Sequence, residues 1–210
     1  MIAIIDYGVG NLYSLSSSFQ YLGIDTKITN AAEDLIAADK ILLPGVGAFA
    51  DAIQKLRNTG LIDTICSEAE KGKPLLGICL GMQLLFDKSY EYGEHDGLGL
   101  IKGIVAPLEE DLPERVRNGK YVKLKVPHIG WNSLALKEKE PLFKYIKNGD
   151  YVYYVHSFYA KDCHSNIIAS SSYDIEITGA VRSGNVYGTQ FHPEKSGTVG
   201  LNILKAFAEL

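Results

Sequence analysis

Four short apolar runs in the first part of the chain leave few folds open: Ile2 to Ile5, Ile24 to Ile28, Ile41 to Leu43 and Leu75 to Ile78. Each is bounded by Gly, Pro or Asp and suits a strand buried on both faces. Between them lie stretches with helical spacing: Leu12, Leu15, Phe19 and Leu22; Phe49, Ile53 and Leu56; Leu61, Ile65 and Ala69. Crossovers of this length join parallel strands and are nearly always right-handed. From about Gly103 strand follows strand, with Tyr121 to Val126, Tyr151 to Val155, Ile167 to Ser170, Ile177 to Val181 and Val186 to Phe191, which reads as mixed or antiparallel sheet. Gly200 to Leu210 closes the chain as an amphipathic helix. The expected fold is α/β, a central mixed, mostly parallel sheet flanked by helices. One domain, 1–210, accommodates it, with a change of sheet type near Gly103 and no linker.

Composition removes several function classes. The 46% hydrophobic content of 210 residues supplies a core without disulfide or metal staples. Twenty-one Lys and Arg against 25 Asp and Glu leave a net charge of −4, which offers no attraction to nucleic acid or anionic lipid. Cys66, Cys79 and Cys163 are an odd, widely spaced set, expected as reduced thiols. The apolar start meets Asp6 too soon for a signal peptide, and no run reaches the roughly 18 residues of a membrane span. A cytoplasmic, soluble chain is expected.

Lys73-Pro74-Leu75-Leu76-Gly77-Ile78-Cys79-Leu80-Gly81-Met82-Gln83 carries the most chemistry. A buried strand runs into a helix with Cys79 at the joint and Gly two positions to either side, the spacing of a nucleophile elbow. A lone cysteine after an apolar strand is ordinarily a small core side chain; the two glycines argue otherwise. At a helix N-terminus the sulfur is favoured as thiolate, and the Leu80 amide faces a developing oxyanion. Gln83, four residues on, shares the sulfur's helical face and can touch a bound substrate. Near the other end, Phe191-His192-Pro193-Glu194 sets an imidazole and a carboxylate two residues apart on an extended segment. His192 is the candidate base and Glu194 its orienting group. Ile41-Leu42-Leu43-Pro44-Gly45-Val46-Gly47 lacks the full spacing of either nucleotide-binding fingerprint. Its better use is a main-chain N–H from Val46 or Gly47 to the same oxyanion.

Pro44-Gly45-Val46-Gly47, Gly77 to Gln83 and Phe191 to Glu194 together resemble the class I (triad) glutamine amidotransferases. The wider wording, with Gly10-Asn11, Val126-Pro127-His128-Ile129-Gly130-Trp131-Asn132 and His156-Ser157-Phe158, is similar to the glutaminase subunits of imidazole glycerol phosphate synthases over nearly the whole chain. The resemblance implies that Cys79 attacks the carboxamide of glutamine to give a thioester and ammonia, with His192 as acid and then base. It implies that Gln83, Gly47 and Ser157 hold the glutamine and that the Pro44 to Gly47 loop reorients to bring Val46 into the oxyanion hole. It also implies a partner, a (β/α)8-barrel cyclase subunit that consumes the ammonia to make imidazole glycerol phosphate and aminoimidazole carboxamide ribotide. The chain length leaves no room for that acceptor domain. Asn11, His128 and Trp131 are the interface candidates, Trp being enriched at hot spots. No cofactor and no metal is expected. A glutaminase for another acceptor and a non-catalytic binding module on the same fold stay open at this stage.

Overall fold

The computed structural model describes residues 1–117, 120–137 and 139–210. The first half alternates as β1 (Ile2–Ile5), α1 (Leu12–Tyr21), β2 (Thr26–Thr29), α2 (Ala32–Ala37), β3 (Lys40–Leu43), α3 (Phe49–Asn58), α4 (Ile62–Glu70), β4 (Leu75–Ile78) and α5 (Leu80–Gln83). Then come β5 (Phe86–Ser89), β6 (His95–Asp96), β7 (Ile101–Pro107), α6 (Leu108–Asp111), β8 (Arg115–Arg117), β9 (Lys120–Val122), β10 (His128–Ser133) and β11 (Ala135–Leu136). The chain ends with β12 (Tyr151–His156), β13 (Phe158–Lys161), β14 (Ile167–Tyr173), β15 (Ile175–Ser183), β16 (Val186–Thr189) and α7 (Gly197–Ala208). None of these helices is long and apolar enough to cross a membrane.

Eight strands form the central sheet in the order β11-β14-β15-β16-β4-β3-β1-β2. Pairing is parallel from β16 through β4, β3 and β1 to β2, and antiparallel among β11, β14, β15 and β16. Strands from both halves of the chain therefore share one sheet. A smaller sheet, β13-β7-β5-β6, and the ribbon β10-β12 lie beside it in the topology. The period of two along β1 separates two cores: Ala3 and Ile5 join Phe49, Ile53, Leu56 and Ile65 of α3 and α4, while Ile2 and Ile4 join Leu15 and Phe19 of α1 and Phe207 of α7. Helices thus cover both faces, which is why β1 and β4 are apolar and buried at every position.

Several expected elements differ. The second strand begins at Thr26, not Ile24, and lies at the sheet edge, so Lys27 and Ile28 are exposed. The strand expected over Tyr121 to Val126 ends at Val122, inside a separate two-stranded ribbon. The β13-β7 pairing joins residues more than fifty positions apart, which local patterning does not reveal.

Candidate active site

The parallel strands β3, β4 and β16 end side by side, and the segments leaving their carboxyl ends build the site. Leu43 pairs with Gly77, Ile78 with Thr189, and the Cys79 amide donates to Thr189 O at 2.7 Å. Cys79 then turns sharply, with φ 54° and ψ −110°, a region that an L-residue occupies only when its surroundings hold it there. The glycines explain what holds it. A Cβ on Gly77 would stand 2.6 Å from Gly81 O, and one on Gly81 only 1.8 Å from Leu43 O. The elbow is pressed against its own strand and against β3, and only bare backbone fits.

A helix follows Cys79 as expected, and it is short. α5 has a single turn of four residues before the chain enters β5, so the dipole at the sulfur is that of one turn rather than a long helix. The Leu80 amide, first in that turn, has no intrahelical acceptor. Val46 and Gly47 line the same cavity, and Gly47 sits at φ +102°, where glycine is free and other residues are strained. Tyr7 steadies this loop by donating its hydroxyl to Pro44 O at 2.6 Å.

His192 is buried, and its Nδ1 lies 2.9 Å from Glu194 Oε1. The carboxylate arrives by a different route from the extended segment expected: Pro193–Lys195 is a 3-10 turn opened by the proline, and this turn swings Glu194 back to the ring. Nε2 is buried without a hydrogen-bond partner. Burial alone would lower the proton affinity of His192, but the neighbouring Cys79 sulfur and then the Glu194 carboxylate outweigh it and raise the pKa to about 9. In the unfolded chain an ordinary imidazole titrates near 6.5. The protonated ring therefore contributes stability that is fully present below about 6.5 and is lost as pH rises through about 9. Thermal melts of the parent should lose stability over that window, and Glu194→Gln should flatten the loss; parallel curves for the two proteins would contradict the coupling.

The cavity above these groups holds about 300 Å³ and is lined by Val46, Gly47, Cys79, Leu80, Gln83, Ser157 and His192, together with Glu91, Tyr92, Pro127, Val155, His156 and Phe158. The structure thus brings together Cys79, His192, Leu80, Val46, Gly47, Gln83 and Ser157 around one space, with Glu194 behind His192. Gln83 is fixed by donating Nε2–H to Phe158 O and to Gln190 Oε1, each at 3.0 Å. With both hydrogens used, its oxygen is the atom left for a ligand.

The interface candidates divide. Trp131 is 55% exposed on β10, edge-on to Tyr153. Asn11 is half-buried at the head of α1 and makes no capping hydrogen bond. His128 corrects the expectation: it is 3% exposed, stacked against Tyr154 and Tyr173, with Nδ1 3.0 Å from His156 Nε2, so it has almost no surface to offer a partner. Burial lowers the pKa of His128 to about 4, and burial first, with its histidine neighbours, lowers that of His156 to about 3. Both rings stay neutral at working pH.

Sequence reasoning missed Glu91, Gln190 and Tyr7. Glu91 is buried, lines the cavity and accepts the Phe49 amide at 2.6 Å, capping α3. Burial raises its pKa. Gln190 stands two residues before His192, but its partners Gln83 and Cys79 lie more than a hundred residues away in the chain.

Comparison with known proteins places this geometry. Residues 3–209 match the model of the family described as "Glutamine amidotransferase class-I". The chain is 49% identical to the imidazole glycerol phosphate synthase subunit HisH of Caldanaerobacter subterraneus subsp. tengcongensis, covering 100% of this chain and 98% of that protein. It is likewise 49% identical to the HisH subunit of Listeria monocytogenes, covering 100% of this chain and 96% of that one. Among solved structures, one described as a glutamine amidotransferase superposes with TM-score 0.75 at 18% identity, covering 100% of this chain and 98% of that chain. PurLQS from Thermotoga maritima superposes with TM-score 0.70 at 20% identity, covering 99% and 97%. At such identities the structural likeness concerns the fold.

Proposed function

The chain belongs to the class-I glutamine amidotransferases, in the HisH branch, and from that premise we propose that Cys79, His192 and Glu194 hydrolyse glutamine for a cyclase subunit of imidazole glycerol phosphate synthase. The observation that carries the assignment of roles is the buried His192, tied to Glu194 through Nδ1 while its free Nε2 and the Cys79 sulfur share one cavity.

The sulfur attacks the carboxamide carbon, and the negative charge that gathers on oxygen is received by the Leu80 amide and by Val46 or Gly47 N–H. His192 passes its proton to the leaving nitrogen, ammonia departs and a glutamyl thioester remains. The now neutral Nε2 takes a proton from water, hydroxide opens the thioester and glutamate leaves with the sulfur restored. Glu194 holds the ring in one tautomer and balances its charge. Gln83 Oε1, Glu91 and Ser157 supply polar contacts for the amino-acid end, the Glu91 carboxylate suiting an ammonium. A rotation of the exposed Val46 peptide completes the oxyanion hole when the acceptor is bound.

Ammonia released into neutral water is mostly protonated and has no lone pair with which to attack, so delivery to the cyclase must be shielded. Trp131 and Asn11 are placed at that contact. Trp131→Ala should weaken association with the cyclase by about 2 kcal/mol or more while leaving the melting temperature within a few degrees, measured by calorimetric titration; unchanged affinity would remove Trp131 from the interface. The free thiols Cys66, Cys79 and Cys163 suit a cytoplasmic setting. The direct test is incubation with a glutamine-analogue electrophile followed by peptide mass spectrometry. Adduct at Cys79, together with ammonia transfer only to the imidazole glycerol phosphate cyclase, supports the assignment; adduct elsewhere, or transfer to a different acceptor synthase, defeats it.

A further inference from the structure

We propose that Gln190 is a positioning residue for the nucleophile, holding the Cys79 sulfur with a side-chain N–H and fixing at the same time the amide of Gln83. The inference rests on the reading of Cys79 as nucleophile and extends it to a residue outside the triad.

The argument starts at Phe158 O, because a carbonyl oxygen can only accept. Two groups reach it: Gln83 Nε2 at 3.0 Å and His156 Nδ1 at 2.9 Å. Gln83 therefore presents its nitrogen on this side, and its second hydrogen goes to Gln190 Oε1 at 3.0 Å. That contact in turn fixes Gln190, whose Nε2 is left to face the Cys79 sulfur at 3.8 Å. Every amide orientation is thus dictated by chemistry from a single carbonyl. The same logic runs outward. His156 carries its proton on Nδ1, so its Nε2 accepts from His128 Nδ1 at 3.0 Å.

Gln190 is fully buried, and its own amide donates to Gly179 O at 2.8 Å, so its backbone is anchored on β15. The side chain is equally constrained, with both polar ends engaged. A donor beside sulfur stabilises the thiolate more than the thiol and directs the lone pairs that attack. With Gln190 fully buried, such a contact is stronger than on a surface. Through Gln83 the same residue governs which atom of that amide meets the substrate, so one side chain sets both the nucleophile and part of the binding wall.

The test uses the full chain with its cyclase and two variants, Gln190→Glu and Gln190→Met. Alkylation of Cys79 by iodoacetamide at fixed neutral pH is followed by mass spectrometry, with Cys66 and Cys163 read separately. Glutamate is an acceptor where glutamine donates, so Gln190→Glu should slow alkylation about tenfold or more. Methionine keeps the length and removes both polar atoms. Gln190→Met should also slow alkylation, and should raise KM for glutamine by a larger factor than it lowers kcat, because the Gln83 amide is released. If Gln190→Glu does not fold, as judged by circular dichroism, Gln190→Met alone carries the result. Alkylation within about twofold of the parent in the folded variants, or faster, overturns the inference. Failure of the underlying reading looks different: Cys79→Ala would then remain an active glutaminase.

Discussion

Cys79→Ala should leave a folded chain that hydrolyses glutamine at about 10⁻⁴ of the parent rate or less. The sulfur is the only atom lost, and the alanine Cβ accepts the same turn. The more informative companion is Cys79→Gly. At φ 54° and ψ −110° the cysteine occupies backbone space that costs an L-residue about 1–3 kcal/mol and a glycine far less. Cys79→Gly should therefore be as inactive as Cys79→Ala and melt higher than it. An ammonia-release assay and paired thermal melts check both halves. Parent-like hydrolysis in either variant would sink the catalytic assignment, and equal melting would show that the turn carries no strain.

Gly81→Ala is expected to cost more than about 4 kcal/mol, a large share of the roughly 5–15 kcal/mol that holds a domain together. Its Cβ would fall 1.8 Å from Leu43 O, 2.8 Å from Leu43 C and 3.0 Å from Pro44 C, all backbone atoms of β3 or the loop after it. Nothing there is the end of a flexible side chain, so relief requires the elbow and β3 to part. Gly188→Ala offers the comparison: its Cβ would meet side-chain atoms only, Met82 Cγ at 2.6 Å and Met82 Cβ and Val181 Cγ2 at 3.1 Å, and rotation of the methionine relieves the closest of them. Chemical denaturation should show Gly81→Ala unfolded or nearly so and Gly188→Ala only mildly weakened. A Gly81→Ala protein with the parent's midpoint would mean that the elbow does not bear on β3 as described.

These two positions also show how far the sequence could be read. The Gly77-x-Cys79-x-Gly81 spacing announced the elbow because steric exclusion acts over a few residues and leaves its mark locally. The helix expected after Cys79 is there as a single turn, and the apolar Leu84, Leu85 and Phe86 beyond it belong to the turn into β5 and to that strand. The pairing of His192 with Glu194 was foreseen through the wrong backbone, an extended segment in place of a 3-10 turn. His128 and Trp131 were both offered as contact residues, yet His128 is buried and Trp131 exposed; strand alternation alone does not say which face of β10 is buried. Glu91 and Gln190 went unrecognised since their partners, Phe49, Gln83 and Cys79, lie 42, 107 and 111 residues away. Contacts of that range leave no periodicity to follow.

The pairing of β16 with β4 joins residues more than a hundred positions apart, Thr189 beside Ile78. Until those two strands pair, the segments that carry Cys79 and His192 do not share a cavity. Contacts so distant in sequence are expensive to close and form slowly. A nascent or half-folded chain therefore lacks the arrangement that sets Cys79 beside His192. With Cys79 as the proposed nucleophile, reactivity should be a property of the finished sheet, and the appearance of Cys79 alkylation during refolding should serve as a clock for the moment at which the two halves of the chain meet.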